Sequence, residues 1–153
     1  ANLLMSYFSQ TGHENKSGER KQYKKWLLSI IKTIWIEFEK KFLKLWENEN
    51  HGDAYPKLLF KNNSKKMILE KKEYMQNLFK ETIAYAGAKI IRRIFGFAHN
   101  IDFEWIENAK VRANCEYKAS KLAILMLKDT HSFKSINDLI KLAKKNEKMK
   151  VKF

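Results

Sequence analysis

Hydrophobic side chains recur every three or four positions in the stretch from residue 23 to residue 46, and Lys and Glu fill the positions between them. This spacing is that of one face of an α-helix. The pattern predicts an amphipathic helix of about seven turns. Because large aromatic residues dominate core burial, we expect the apolar stripe to face the core. The stripe consists of Tyr23, Trp26, Leu27, Ile30, Ile31, Ile34, Trp35, Phe38, Phe42, Leu45 and Trp46.

Helical spacing also marks both ends of the chain. Residues 1–11 predict a helix, with Asn2 as its candidate cap. Near the other end, Ser135 and Asp138 have the spacing of a capping box, which predicts a last helix from Ile136 to about Lys145.

Three further helices are expected in the middle. The first runs from about Lys66 to Ala98, a short one follows Asp102 as N-cap, and another covers residues 109–127. The inward side of that last helix is predicted to consist of Val111, Cys115, Ala119, Leu122, Ala123 and Met126. Small residues cluster around Gly87, which costs about 1 kcal/mol relative to Ala inside a helix. Either another helix packs closely there, or the helix lines a site.

The composition supports an all-α protein. The 5 Gly and 1 Pro are too few for a sandwich or barrel of short strands. We expect residues 1–153 to form a single helical unit of about five to six helices, with the basic tail 146–153 frayed or bound to an acidic partner. The one cysteine excludes an internal disulfide or a cysteine-based zinc site. The longest apolar run, 122–127, is too short to cross a membrane, so we expect a cytoplasmic protein.

The net charge of +14 suggests an acidic partner, but its make-up weakens the case for nucleic acid. Among 31 basic residues only four are Arg, and the Lys residues are dispersed along the chain. Arg reads phosphates and bases by paired donors, whereas Lys is a solvated point charge. A basic, all-helical binding module for nucleic acid or an acidic protein therefore stays as the alternative function.

The adjacent pair Arg92 and Arg93 is the most informative chemistry in the sequence. Neighbouring residues on a helix point about 100° apart, so at least one should approach packed surface. A buried guanidinium needs a partner. That partner is either a phosphate or another anion, or a carboxylate such as Glu81 or Asp102.

Other candidate residues give weaker signals. His51, Gly52 and Asp53 match a kinase catalytic triplet, but no metal-holding Asn follows closely, so we interpret them as a loop turn. Cys115 lies on an apolar helix face, which favours a buried small hydrophobe over a nucleophile.

The histidines are equally uninformative. His99, Asp102 and Glu104 are possible metal ligands, but helix capping explains that stretch better, and no metal site is predicted. His13 and His131 belong to no triad. No Gly-rich phosphate loop occurs, so we predict no catalytic residue in this chain.

The stretch FKETIAYAGAKIIRRIFGFAHNIDFEWI, residues 79–106, resembles the C-terminal region of the methylthioribose kinases, within the aminoglycoside and choline kinase-like superfamily. The segments ANLLMSYFSQTGHE, WLLSIIKTIW, HGDAYPKLLF and VRANCE are similar to that family too, so the resemblance covers about residues 1–128. It implies the helical C-lobe of a protein-kinase-like fold.

The resemblance also implies a function. The family phosphorylates the 1-hydroxyl of S-methyl-5-thioribose with ATP and Mg²⁺ in methionine salvage, and its twin Arg, here Arg92 and Arg93, are associated with the substrate and the transferred phosphate. The ATP- and metal-binding segments of the family lie upstream of the matching region. We therefore expect this segment to be inactive alone, to work with an N-terminal kinase portion in the same or a separate chain, and to form a homodimer in the complete enzyme.

Overall fold

A computed structural model describes residues 1–48 and 64–150. Within these ranges the chain forms six α-helices and no strand, which confirms the all-α prediction. The helices are α1 (Asn2–Ser9), α2 (Lys21–Asn48), α3 (Ser64–Phe95), α4 (Ile101–Glu104), α5 (Ala109–Lys128) and α6 (Ile136–Glu147). Short 3₁₀ turns cover Gln10–His13 and Thr130–Ser132.

Helix α5 is the centre of the core. It packs against α3 along one side, and α1 and α6 cover the rest of it. Its inward residues, Cys115, Ala119, Leu122, Ala123 and Met126, are those predicted from the helical spacing, and each is at most 1% exposed.

Gly87 explains how closely α3 approaches α5. A Cβ at this position would lie 2.9 Å from the backbone oxygen of Ala123 and 3.1 Å from Cβ of Met126. Only a residue without a side chain fits. Of the two explanations for the small residues there, tight helix packing is the one realised at Gly87.

Helix caps agree only in part with the sequence. The predicted capping box of α6 is present, and the Asp138 carboxylate accepts the N–H of Ser135 at 2.9 Å. Two predicted caps were wrong. Helix α4 is capped by Asn100, whose side-chain oxygen accepts the N–H of Asp102, because Asn100 has the extended backbone that an N-cap requires. Asn2 lies inside α1, one residue too late to cap it.

The apolar stripe of α2 forms a core face only in part, whereas the prediction was that all of it faces the core. Trp26 is 50% exposed and Ile34 is 56% exposed, while Leu27 is buried together with Leu28, which lies off the stripe. Ile31 and Trp35 of the stripe pack against the core cluster, whereas other members stay exposed in the described part of the chain. Four of its members besides Trp26 are also exposed: Tyr23, Ile34, Phe38 and Leu45.

Aromatic rings hold α2 beside α3. Ring centroids of Trp35 and Phe79 lie 4.7 Å apart, and those of Phe42 and Tyr74 lie 5.7 Å apart with planes 3° from parallel. These side chains are large enough to bridge two helices whose backbones stay apart.

A polar cluster ties three segments together at the opposite end of α2. The Lys24 ammonium lies 2.7 Å from Oε1 of Glu147 and donates to Oγ1 of Thr11 at 3.0 Å. The Thr11 hydroxyl donates to the same carboxylate oxygen. Burial raises the pKa of Glu147, but the hydrogen bond and charge of Lys24 and the hydroxyl of Thr11 outweigh it and hold the pKa below its ordinary value.

Candidate functional site

The twin Arg residues lie in the last turn of α3. Backbone carbonyls at a helix C-terminus carry partial negative charge, and two guanidinium groups offset it. The chain leaves the helix directly afterwards, where the backbone N–H of Gly96 bonds to the carbonyl of Arg92.

The two side chains have different surroundings. Arg92 is exposed, whereas Arg93 is half-buried and its Nη1 donates to the carbonyl oxygens of Ala98 at 3.2 Å and His99 at 3.4 Å. At least one Arg therefore approaches packed surface, as the 100° offset requires. Within the described residues neither forms an ion pair with Glu81 or Asp102, so the carboxylate alternative is not realised there.

Arg93 thereby fixes the segment that follows it. Because Arg93 donates through Nη1, the N–H groups on Nε and Nη2 are left for another acceptor. Such an arrangement holds a guanidinium in place while it keeps donors for an anion.

Exposed aromatic residues follow the pair along the chain. Phe95 is 70% exposed, Phe97 is fully exposed, and Trp105 after α4 is 70% exposed. The spacing of the sequence did not single them out, because they fall where the helical pattern ends. The site therefore combines two cations with apolar surface.

Helix α5 carries a carboxylate, Glu116, that interacts electrostatically with this segment. Burial raises the pKa of Glu116, while the charges of Arg112 and His99 act to lower it and that of Glu104 to raise it. Glu116, one turn after Arg112, thus lies within electrostatic range of His99, and Arg93 donates to the carbonyl of His99. Sequence reasoning missed this pair as site residues, although one turn of helix separates them.

The remaining candidates are structural in this part of the molecule. Nε2 of His13 lies 2.7 Å from the carbonyl oxygen of Asp102, so this nitrogen carries the proton. Cys115 is 1% exposed, and burial raises the pKa of its thiol to about 11. Residues 51–53 lie outside the described residues. Among those described, no three His, Cys, Asp or Glu side chains are placed to hold a metal ion.

Within residues 1–48 and 64–150, no helix is both long enough and apolar enough to cross a membrane.

No protein-family model matches the chain. Individual proteins do. Methylthioribose kinase 1 of Oryza sativa subsp. japonica is 43% identical over 141 residues, which are 91% of this chain and 33% of the rice protein. Methylthioribose kinase of Escherichia coli O45:K1 is 32% identical over 143 residues, 94% of this chain and 34% of that protein. The Bacillus cereus (strain 03BB102) enzyme of the same name is 32% identical over 142 residues.

This chain spans about a third of the length of the curated relatives it matches. Its match to them covers nine-tenths of its own residues, which is consistent with the C-terminal portion of a kinase. The resemblance found in the sequence is thereby confirmed: this chain is homologous to part of the methylthioribose kinases.

Proposed function

We propose that this chain works as the helical C-lobe portion of a methylthioribose kinase, and that Arg92 and Arg93 bind the sugar substrate and the transferred phosphate. The observation that carries the proposal is the 43% identity to rice methylthioribose kinase 1 over 91% of the chain. The reaction is the transfer of a phosphoryl group from ATP to the 1-hydroxyl of S-methyl-5-thioribose, a step of methionine salvage.

The arrangement of the Arg pair supports its role. Phosphoryl transfer is accelerated mainly by positioning and by neutralising charge on the moving group. Arg93 is held by two carbonyls and keeps free donors, and Arg92 faces solvent beside it. Two guanidinium groups can donate hydrogen bonds to more than one anionic oxygen of a phosphate, each in a defined direction.

The aromatic surface beside the pair suits the other end of the substrate. Methylthioribose carries an apolar S-methyl group as well as hydroxyls. Phe97, four residues after Arg93, and Trp105, directly after α4, expose apolar surface, and a sulfur-bound methyl group packs well against aromatic rings. We therefore assign these two residues to the methylthio end.

The ligands of ATP and Mg²⁺ are proposed to lie outside this chain, because the resemblance places the family's ATP- and metal-binding segments upstream of the matching region. The described part of the chain offers no cluster of three His, Cys, Asp or Glu side chains. We therefore assign their main ligands to the rest of the kinase, and the proposed role of this chain is limited to the substrate side.

Substitution of each Arg tests the assignment. The chain replaces the matching third of rice methylthioribose kinase 1 in a fusion protein, and Arg92→Ala and Arg93→Ala are compared with Lys128→Ala, an exposed cation on α5. Loss of a positioned donor should lower kcat by ~10²–10³-fold, whereas Lys128→Ala should leave it within twofold. Losses under twofold at both Arg positions would contradict the proposal.

A stability measurement separates binding from scaffolding. Arg93→Ala also removes the two bonds to the carbonyls of Ala98 and His99, so its unfolding is measured alongside its kinetics. Arg92 makes no such bond in the described residues, and Arg92→Ala should lose activity without loss of stability. Equal loss of both would assign Arg92 a structural role.

The isolated chain provides the complementary test. We expect no phosphorylated sugar when it is incubated with ATP, Mg²⁺ and methylthioribose, because the proposed ATP ligands lie elsewhere. Clear turnover by the chain alone would overturn the view that it is one portion of the enzyme.

The second candidate is a basic binding module, favoured by the net charge of +14. It predicts binding to nucleic acid with an affinity that falls steeply as salt increases. Titration of a fluorescent duplex at two salt concentrations tests it directly.

A further inference from the structure

The segment that follows the Arg pair is held at its far end by the 3₁₀ turn after α1. Nε2 of His13, in that turn, donates to the backbone carbonyl oxygen of Asp102 in α4 at 2.7 Å. The two residues lie 89 positions apart in the sequence, and the His13 side chain is half-buried. The bond therefore joins two elements that are distant along the chain.

The carbonyl of Asp102 needs this donor. In a continuing α-helix the N–H of Ile106 would bond to it, but that N–H bonds to the carbonyl of Phe103 at 3.0 Å. The last carbonyls of a helix lack partners within the helix. His13 therefore supplies the donor in place of the backbone.

Close packing joins the same two elements. A Cβ added to Gly12 would overlap the side chain of Ile106, so the turn and the chain just after α4 touch without room for a side chain. Ile106 and Phe103 are each 2% exposed and belong to the core cluster. Because packed interiors transmit strain, a change at the His13 bond is passed to the backbone of α4.

The near end of the segment holds the guanidinium of Arg93. Its Nη1 donates to the carbonyl oxygens of Ala98 at 3.2 Å and His99 at 3.4 Å. Two residues separate His99 from Asp102, and one of them, Asn100, accepts the N–H of Asp102 as the cap of α4. A chain of three residues spans at most about 10 Å. The position of Asp102 therefore limits where the two carbonyls, and with them the guanidinium, can lie.

We propose that His13 is a positioning residue for phosphoryl transfer: by donating to Asp102 it fixes the segment whose carbonyls hold Arg93 in place for the substrate. The inference rests on the proposed function. In this role His13 contacts neither sugar nor phosphate and acts through the backbone of α4 and through Arg93. The effect is measurable, because a misplacement of about 1 Å far from the chemistry costs up to about 10²-fold in rate.

Three substitutions of His13, made in the fusion with rice methylthioribose kinase 1, test whether the position of the donor matters. His13→Leu removes the donor, His13→Gln carries an amide nitrogen at about the reach of Nε2, and His13→Asn has the same amide on a side chain one methylene shorter. We expect kcat to fall by about 10-fold to 10²-fold in His13→Leu and His13→Asn. In His13→Gln it should stay within about threefold of wild type.

The matched control is His131→Leu, which replaces an exposed histidine of the other 3₁₀ turn and should leave kcat within twofold. The KM for ATP should change by less than twofold in every variant, since the proposed ATP ligands lie elsewhere. A kcat for His13→Leu within twofold of wild type overturns the proposal, as does an equal loss in His13→Leu and His13→Gln.

A double-mutant cycle with Arg93 separates positioning from general stability. If His13 acts through Arg93, His13→Leu should lower kcat by less than about twofold in the Arg93→Ala background, since the guanidinium to be positioned is gone. Equal factors in the two backgrounds would show that His13 acts independently of Arg93 and would overturn the proposal.

Hydrogen exchange gives a readout that does not depend on activity. In the fusion, amide protons of residues 100–106 should exchange faster in His13→Leu than in wild type and at the wild-type rate in His13→Gln, while those of α5 stay unchanged. Faster exchange throughout α5 would assign His13 a general structural role instead. Circular dichroism verifies that each variant is folded, and if His13→Leu does not fold, the comparison of His13→Asn with His13→Gln decides.

The results distinguish this inference from the proposed function. If Arg93→Ala loses turnover while His13→Leu stays within twofold of wild type, the substrate assignment stands and the role of His13 fails. If Arg93→Ala keeps full turnover, the substrate assignment itself fails, and faster exchange in His13→Leu then makes His13 an anchor of α4 without a part in the reaction.

Discussion

The ammonium of Lys24 lies 2.7 Å from the carboxylate of Glu147, and this contact joins the first turn of α2 to the last turn of α6. The side chains are 15% and 18% exposed. Thr11 bonds to the same carboxylate oxygen from the turn after α1. One acidic residue thus fixes the relative positions of three segments.

Loss of the Glu147 charge should therefore lower the free energy of unfolding. We expect Glu147→Gln to cost about 1–2 kcal/mol, because hydrogen bonds to charged groups contribute more than neutral ones. Urea unfolding followed by circular dichroism measures the change. The matched control is Glu47→Gln, since Glu47 is 67% exposed in its contact with Lys71 at 3.7 Å. The control should change stability by less than ~0.5 kcal/mol, and a larger effect of the control would contradict the argument.

The Glu147 carboxylate should also make the free energy of unfolding depend on pH, in a direction that its pKa determines. Its pKa is lower in the folded chain than the ordinary Glu value of about 4.3. The stabilisation is therefore complete above that ordinary value and is lost as the pH falls through the folded pKa. The difference in unfolding free energy between wild type and Glu147→Gln should shrink between pH 5 and pH 3, in roughly that interval. A difference that grows with acidity would refute the assigned pKa shift.

Gly87 should tolerate no side chain. Gly87→Leu would drive atoms into the Ala123 carbonyl and the Met126 side chain of α5, and overpacking of this kind costs about 1–3 kcal/mol. Ala88→Leu, on the exposed side of the same helix turn, should change stability by less than ~0.5 kcal/mol. Thermal unfolding of the two variants distinguishes close packing from a general intolerance of this turn to large residues.

Cys115 should be unreactive in the folded chain. With a pKa of about 11 and 1% exposure, its thiol stays protonated and covered near neutral pH. Labelling with a thiol-specific disulfide reagent at pH 8 should be at least ~100-fold slower in the native protein than in guanidinium chloride. Equal rates would mean that α5 opens readily around this residue.

Periodicity predicted the helices and the core of α5 because both depend on spacing within one segment. Cys115, Ala119 and Met126 repeat at helical intervals and face a neighbour that is present. The same reasoning failed for part of α2, since Leu27 is buried but Ile34 and Phe38 are not. Its stripe is equally periodic at Ile34 and Phe38, which are exposed. An amphipathic pattern shows which side of a helix is apolar, but it does not show which other segment packs against that side.

Caps and site geometry were harder to predict for a different reason. Asn100 and Asp102 are both good N-cap residues, and the backbone conformation decides between them. For Arg93 the sequence predicted that a partner was needed, but the partners are main-chain carbonyls of Ala98 and His99, which residue types do not reveal.

Ring contacts between α2 and α3 such as that of Phe42 with Tyr74 lie in a part of the molecule that the main core cluster does not include. Beyond Trp35 on α2 and before Phe79 on α3, no residue of either helix belongs to the main core cluster of the described chain. That stretch is a two-helix arm held together by stacked rings such as those of Phe42 and Tyr74. Amide protons in the arm should exchange with solvent sooner than those of α5, since opening there leaves the central packing untouched. The arm can therefore loosen and re-form while the rest of the protein keeps its shape.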